Sequence, residues 1–354
     1  MSGSKYQASA SDGKEILRVL ESSAAKGNIE LIYTRRPDAY DSYMKDAGDA
    51  RVFVSKIGER VIGTCAELIR EVYIGGEACR AAYLCGLKKD AEYDGGVGFG
   101  SRLIRDIQSD DIDYYYCSVV AENANTRRMF EKSRHLLEMK QTVGYKTYIL
   151  SPKIKVKTKK HIFSFRRATE NDTVRLLDFL NNEGKKKDMF PVVKSFEEFF
   201  NLSVEDFYLL LDGDSIVATG ALWNQTGYKQ YVVKRYGKIM KLARLFNPLL
   251  SAFRYIKLPE VNEPLDFPML AFFLSRDDNA DNYLIFLEEI RREVSKKYDM
   301  LVFGLTEGHF ARPYVDKLPS INFETVLYEI RFPWSDQTYN IPDPQKSFFE
   351  CALL

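Results

Sequence analysis

Histidine occurs three times in the 354 residues, tryptophan twice and cysteine five times. The thiols are scattered as Cys65, Cys79, Cys85, Cys117 and Cys351, with no pair at metal-ligand spacing, and an odd count suits no simple disulfide framework. They are expected to be free thiols packed as small hydrophobes in a reducing compartment, with no metal site. Excess charge of either sign is also missing: 51 basic against 50 acidic side chains leave a formal +1. That balance excludes a broad nucleic-acid surface, because a polyanion demands a clustered surplus of Lys and Arg. No apolar run approaches the ~18 residues of a membrane span. The first twenty residues hold Ser4, Lys5, Asp12 and Lys14 where a signal peptide would be apolar. The expected setting is cytoplasmic, without a membrane or nucleic-acid partner. The last four residues, Cys351 to Leu354, fit a prenylation box in form. No polybasic segment precedes them, and the chain from Phe348 onward reads instead as a final β-strand after the Pro342/Pro344 turn.

What is present is 45% hydrophobic and 29% charged residues, a globular composition over a length that suits two domains. The basic run 153–160 lies between two strand-like segments and reads as a linker. It separates a domain at 1–152 from a second at 161–354. In the first, a helix over 14–23 follows the N-cap signal Ser11-Asp12, with Ile16, Leu17 and Leu20 on one face. A second helical stretch carries Tyr40 and Tyr43. Strands are expected at 52–54, 60–73 and 80–87, then a glycine-rich loop, a helix over 101–107, a strand over 114–120, a helix over 126–132 and a strand over 142–150. The second half repeats the order: strand 162–166, a helix carrying Val174 to Leu180, strands 207–211 and 216–233, a helical insertion at 239–253, strand 269–274, helix 283–298, strand 300–304, a short helix over 311–318, and strand 323–330. Equal order without equal sequence suggests a structural duplication.

Chemistry concentrates at Gly95-Gly96-Val97-Gly98-Phe99-Gly100, followed by Ser101 and Arg102. A strand, a glycine turn and a helix in succession form an anion site, since backbone N–H groups converge and the helix dipole favours negative charge. A nucleotide P-loop would continue with Lys and Ser or Thr, which this chain lacks. A dinucleotide fold would place the loop on its first strand, but several strands precede it here. A merely flexible turn is the remaining plain alternative.

In this context the run Gly96 to Ile104 resembles the pyrophosphate loop of the GNAT acyltransferase superfamily, whose pattern is Q/R-x-x-G-x-G/A. The stretch Val119 to Lys132, with Asn123 after a strand, is similar to that family's later strand–helix motif. The second half resembles the same fold in degenerate form, with Ser275-Arg-Asp-Asp-Asn-Ala-Asp-Asn282 where a second loop would stand. The resemblance implies an α/β (α+β) fold of two GNAT-like domains, each a mixed, mostly antiparallel sheet with a central parallel strand pair flanked by helices, and with a C-terminal strand closing the second. It implies acetyl-CoA (coenzyme A) in the split between strands 80–87 and 114–120. Gly86, Leu87 and Lys88 would hold the pantetheine and polarise the thioester. Gly95, Gly96, Val97, Gly98, Phe99, Gly100, Ser101 and Arg102 would hold the pyrophosphate, and Asn123 would contact the pantetheine or coenzyme. One cofactor per chain is expected, because three carboxylates crowd the second loop position.

Two positions depart from the family pattern. Gly95, beside Asp94, stands where the family has Gln or Arg, and Phe130 stands where it commonly has the Tyr that protonates the leaving thiolate. Tyr93 and Tyr145 are the alternative acids. Glu67 and Glu122 are the candidate bases, with an outward-facing strand Glu and a helix-start Glu as their plain structural readings. His135 and His309 read as surface or helix-end residues, and the carboxylate of Leu354 is a further candidate if the last segment runs into the cleft. The expected activity is acetyl transfer to a small-molecule amine. A non-catalytic coenzyme A binding or sensing module is the alternative, and an interaction protein without the cofactor is a third.

Overall fold

The structure is a computed structural model and describes residues 4–24, 29–95, 107, 109, 111–124, 126–128, 137–196, 201–245, 258–332 and 342–354. Its first half runs β1 (Ser4–Gln7), α1 (Gly13–Glu21), β2 (Ile29–Thr34), α2 (Ala39–Ala47), β3 (Asp49–Ile57), β4 (Arg60–Ile74), β5 (Glu77–Lys89), β6 (Tyr114–Val120) and β7 (Glu138–Leu150). The second runs β8 (Ser164–Arg167), α3 (Thr173–Gly184), β9 (Phe207–Asp212), β10 (Ser215–Trp223), β11 (Gln230–Tyr236), α4 (Lys238–Leu245), β12 (Met269–Ser275), α5 (Ala280–Val294), β13 (Leu301–Thr306), α6 (Arg312–Val315) and β14 (Ser320–Arg331).

The halves start alike for the same local reason. Asp12 accepts from the backbone N–H of Ser9, and Asp172 from that of Thr169, so each helix begins on a reciprocally satisfied turn. In α1 the spacing of Ile16, Val19 and Leu20 buries one face against β4. Long β4, with Val61 to Arg70 all buried, is covered on both sides.

Twelve strands form one sheet in the order β1-β3-β4-β5-β6-β14-β7-β13-β12-β10-β9-β8. Read from either end the order is the same if each strand is matched to its counterpart in the other half, except at the middle. There β14 lies beside β6, and β7 lies beside β13. Each half has therefore given its last strand to the other. The two exchanged strands pair antiparallel from Ser320↔Leu150 to Arg331↔Glu138. A second, two-stranded ribbon pairs β2 with β11, again one strand from each half. The main hydrophobic core follows this plan and runs without interruption from Ile16 and Val54 to Phe207 and Leu353.

Three sequence expectations change. Strand β2 was not anticipated. The expected strand 216–233 is two strands, broken where Asn224 Oδ1 accepts from the Thr226 N–H at 2.9 Å and turns the chain. The expected C-terminal strand is absent: residues 348–350 are irregular, and Cys351–Leu353 form a 3-10 turn capped by Glu350. Its apolar residues enter the core instead of joining a sheet edge. Cys351 is buried there, out of reach of a modifying enzyme. Among the described residues no helix is long and apolar enough to cross a membrane.

Candidate functional site

The parallel pair β5/β6 is joined at Ala81↔Tyr114, Ala82↔Tyr115 and Tyr83↔Tyr116 and at no later residue, although β5 continues to Lys89 and β6 to Val120. The strands splay beyond Tyr83. Residues Leu84 to Lys88 are accordingly half-exposed on a strand that is buried from Ala81 to Tyr83. At the mouth of the split the Tyr83 hydroxyl meets Ser118 Oγ at 2.5 Å.

Within the splay, β5 carries a bulge. Its register against β4 shifts between Thr64↔Lys88 and Ala66↔Cys85, so Gly86 and Leu87 stand opposite the single residue Cys65. A bulge removes backbone groups from the ladder and can turn them toward a ligand. Gly86 has φ +62°, which a side chain disfavours. Space forbids one too: a Cβ built on Gly86 would lie 2.2 Å from the Tyr43 hydroxyl. Tyr43, on α2, is wholly buried, its hydroxyl has no hydrogen-bond partner among the described residues, and its ring lies under the Arg35 guanidinium at 3.9 Å.

The second half repeats this geometry and fills it. β12 and β13 pair only at Met269↔Val302, and β12 bulges at Phe272–Phe273 opposite Gly220. Phe272 holds φ +51°, the left-handed conformation seen at Gly86. Its N–H donates to Glu350 Oε2 at 2.5 Å, and the Tyr145 hydroxyl donates to the Phe349 carbonyl at 3.0 Å. Phe348 to Cys351 line this cleft together with Phe273, Phe303 and Leu305. All seven residues of β12 are buried as a result. Burial also raises the Glu350 carboxyl to about 7, against the lowering effect of the Phe272 and Ala352 N–H groups.

Buried charges then hold the end of this segment between the halves. Lys229 Nζ donates to the carbonyls of Ala352 at 3.1 Å and Leu354 at 3.2 Å, and lies 3.6 Å from Asp46. Arg70 donates to the Leu353 carbonyl at 3.2 Å, and Gln225 to that of Ala352 at 2.9 Å. Asp46 accepts from Arg35 at 2.6 Å. Burial pushes the Asp46 carboxyl up, but Lys229 and Arg35 outweigh it and the net shift is downward. Burial lowers the Lys229 ammonium.

No family profile matches the sequence, and no curated protein matches it. Solved structures do match. A GCN5-related N-acetyltransferase from Anabaena variabilis aligns over 93% of this chain and 72% of its own, at TM-score 0.53 and 12% identity. Saccharomyces cerevisiae N-myristoyltransferase, solved with bound myristoyl-CoA, aligns over 98% and 85%, at TM-score 0.60 and 7% identity. A probable N-acyltransferase from Enterococcus faecalis aligns over 94% and 73%, at TM-score 0.51 and 9% identity. The chain has the GNAT fold. The splay lies between the two strands that the GNAT resemblance implies, and the bulge within it was not anticipated from the sequence.

The sequence candidates can now be placed on that GNAT frame. Gly86, Leu87 and Lys88 lie together in the open splay, but the Lys88 ammonium donates to the carbonyls of Leu20 and Ser23 and so caps the end of α1. Gly95 packs against the ring of Tyr93, which is half-buried beyond the end of β5. Gly96, Val97, Gly98, Phe99, Gly100, Ser101, Arg102, Phe130 and His135 lie outside the described residues. Asn123 is exposed after β6, where its Oδ1 accepts from the Thr126 N–H at 3.1 Å and caps the helical turn that follows. Glu122 is exposed beside it. Glu67 is wholly buried on the opposite face of the sheet from Tyr43, among Cys65, Ile69 and Ile112, and neither of its oxygens has a hydrogen-bond partner among the described residues. Burial raises its carboxyl to about 8, opposed by Arg51.

Tyr145 is buried in the second cleft, away from the splay. His309 is half-buried against Tyr283 and Phe310, and this partial burial lowers it to about 3, so it is a packed ring rather than a proton carrier. The acidic turn after β12 is partly neutralised, with Lys186 on Asp277 and Lys187 on Asp278, and Asn279 caps α5. Repulsion is therefore a weaker argument against a second cofactor than the occupied cleft. Tyr43 was missed as a site residue because its spacing from Tyr40 reads as one face of a helix.

Proposed function

We propose that the chain is a coenzyme A-dependent N-acyltransferase that binds one cofactor, in the β5/β6 splay of its first half. The observation that carries this is the contrast between two equivalent clefts. The first has half-exposed strand edges around a left-handed glycine bulge, and the second is filled by Phe348 to Cys351. The backbone at Gly86 and Leu87 would hold the thioester carbonyl, and the glycine segment from Gly95 would take the pyrophosphate. The myristoyl-CoA held by the yeast protein of the same fold supports an acyl-CoA as the cofactor.

In the transfer, the acceptor nitrogen attacks the thioester carbon, and donors fixed at the bulge stabilise the charge that builds on the oxygen. The C–S bond then breaks, its electron pair leaves on sulfur, and the nitrogen gives up its proton. Glu122 is the better placed of the two carboxylates to accept that proton, being exposed just beyond β6, while Glu67 is sealed on the other face. Tyr93, beside Gly95, is our candidate donor to the thiolate. We assign acetyl as the donor group, a small-molecule amine as the acceptor, the cytoplasm as the compartment, and closure of the site as the role of the second domain at 161–354.

Isothermal titration with coenzyme A, acetyl-CoA and myristoyl-CoA tests the cofactor, and thiol release against an amine panel tests the reaction. Binding of one equivalent with thiol release supports the proposal. Two equivalent sites, or no binding, would overturn it. Binding with no thiol release on any amine would favour a coenzyme A sensing module, a reading motivated by Phe130 in place of a tyrosine.

A further inference from the structure

Resting on the acyltransferase reading, we infer that Tyr43 is a catalytic residue whose hydroxyl donates a hydrogen bond to the carbonyl oxygen of the bound thioester, beside the backbone of the Gly86 bulge.

Three features of its surroundings carry this. First, the hydroxyl is sealed from water and has no partner among the described residues, whereas the other donors and acceptors around it on α2 are largely engaged: Asp38 accepts from the Asp41 N–H, Ser42 donates to the Tyr228 carbonyl, and Asp46 Oδ2 binds Arg35 and Lys229, with Asp46 Oδ1 left unpaired. A buried donor without an acceptor is costly to keep, and a native site that retains one needs a reason. Second, the hydroxyl points at the one position of β5 that must be glycine, within the open splay. A side chain at 86 would fill the space that the phenol and a ligand oxygen would share. Third, Arg35 lies over the ring at 3.9 Å. A cation on that face withdraws electron density and strengthens the O–H as a donor. Burial meanwhile raises the phenol, overcoming the opposite effect of Arg35, so it stays protonated at neutral pH and is available to donate.

The chemistry asks for a donor of this kind. When nitrogen attacks, the carbonyl π pair moves onto oxygen, and a fixed donor in a dry site stabilises that charge without reorganising. Tyr43 keeps its proton throughout. It therefore complements the backbone donors and does not replace the acid that serves the sulfur.

The test compares acetyl-CoA with S-ethyl-coenzyme A, the thioether of equal length in which CH2 replaces the carbonyl, by calorimetry on wild type and Tyr43→Phe without an amine. The wild type should prefer acetyl-CoA by more than fivefold, because the backbone donors and Tyr43 both meet the carbonyl and one net hydrogen bond is worth about fivefold. Tyr43→Phe should cut that preference about fivefold, the ratio expected of one net hydrogen bond, by weakening acetyl-CoA alone, and its melting temperature should be no lower than that of wild type. A variant that keeps the preference, or that weakens both ligands equally, overturns the assignment and leaves the acyltransferase reading standing. A wild type that binds both ligands equally overturns it as well. A wild type that binds neither removes the acyltransferase reading, and this inference with it.

Discussion

Glu67→Gln should change how the stability of the protein depends on pH. Among the described residues Glu67 is wholly buried, both oxygens lack hydrogen-bond partners, and the nearest cation is Arg51 at 3.8 Å, which is itself bonded to Asp111 at 2.7 Å. Burial raises its carboxyl from an ordinary 4.5 to about 8. Between those values the folded chain holds a proton that the unfolded chain has released. Unfolding free energy must therefore fall as pH rises, by about 1.4 kcal/mol per pH unit. Stability is greatest below the unfolded value and is lost through the folded one, because a raised carboxyl reverses the usual acid behaviour. From pH 5.5 to 7.5 the wild type should lose ~2.5 kcal/mol relative to Glu67→Gln, which has no proton to release. Urea unfolding of both proteins at four pH values in that window measures the difference directly. Parallel pH profiles would refute the reasoning, and would mean that Glu67 is ionised in the fold and paired more strongly than a 3.8 Å contact allows.

Gly86→Val should abolish coenzyme A binding in a titration and lower the melting temperature. The left-handed φ alone costs a β-branched residue ~1–2 kcal/mol, and its Cβ would meet the Tyr43 hydroxyl. Unchanged affinity would show that the bulge is not the binding element. Lys229→Met should destabilise the chain by about 3 kcal/mol in chemical denaturation, because it removes the ammonium that ties Asp46 to the Ala352 and Leu354 carbonyls. A loss under about 0.5 kcal/mol, the level of an ordinary surface change, would show that the cluster does not anchor the final segment.

Periodicity made most of the elements legible: Ile16 and Leu20 mark a helix face, and the β-branched runs around Val52 and Val119 mark strands. The parallel pair at the site was legible through the motif order of strand, glycine turn and helix. The exchange of β7 and β14 was not, because each strand could as well have paired inside its own half, and the choice depends on contacts roughly 150 to 215 residues apart in sequence. Phe348 and Phe349 looked like strand residues since their apolar character is real; what they lack is a free edge, and Glu350 caps the turn that follows. The open and closed clefts also escaped notice. The left-handed residue is a legible glycine in one and a phenylalanine in the other, where a carboxylate from the end of the chain steadies it.

The exchanged strands make the two halves a single folding problem. Whatever forms first from residues 1–152 has an unpaired β6 edge until residues 320–331 arrive, and β13 needs in turn a strand completed long before it. An exposed edge of this kind invites pairing with other chains, so dilute conditions or a chaperone should matter more for refolding than for the finished molecule. The same arrangement means that neither half can be excised with its sheet complete. A cut placed in the basic segment 153–160 would leave each fragment holding the other's strand, and activity should return only when the two fragments are combined.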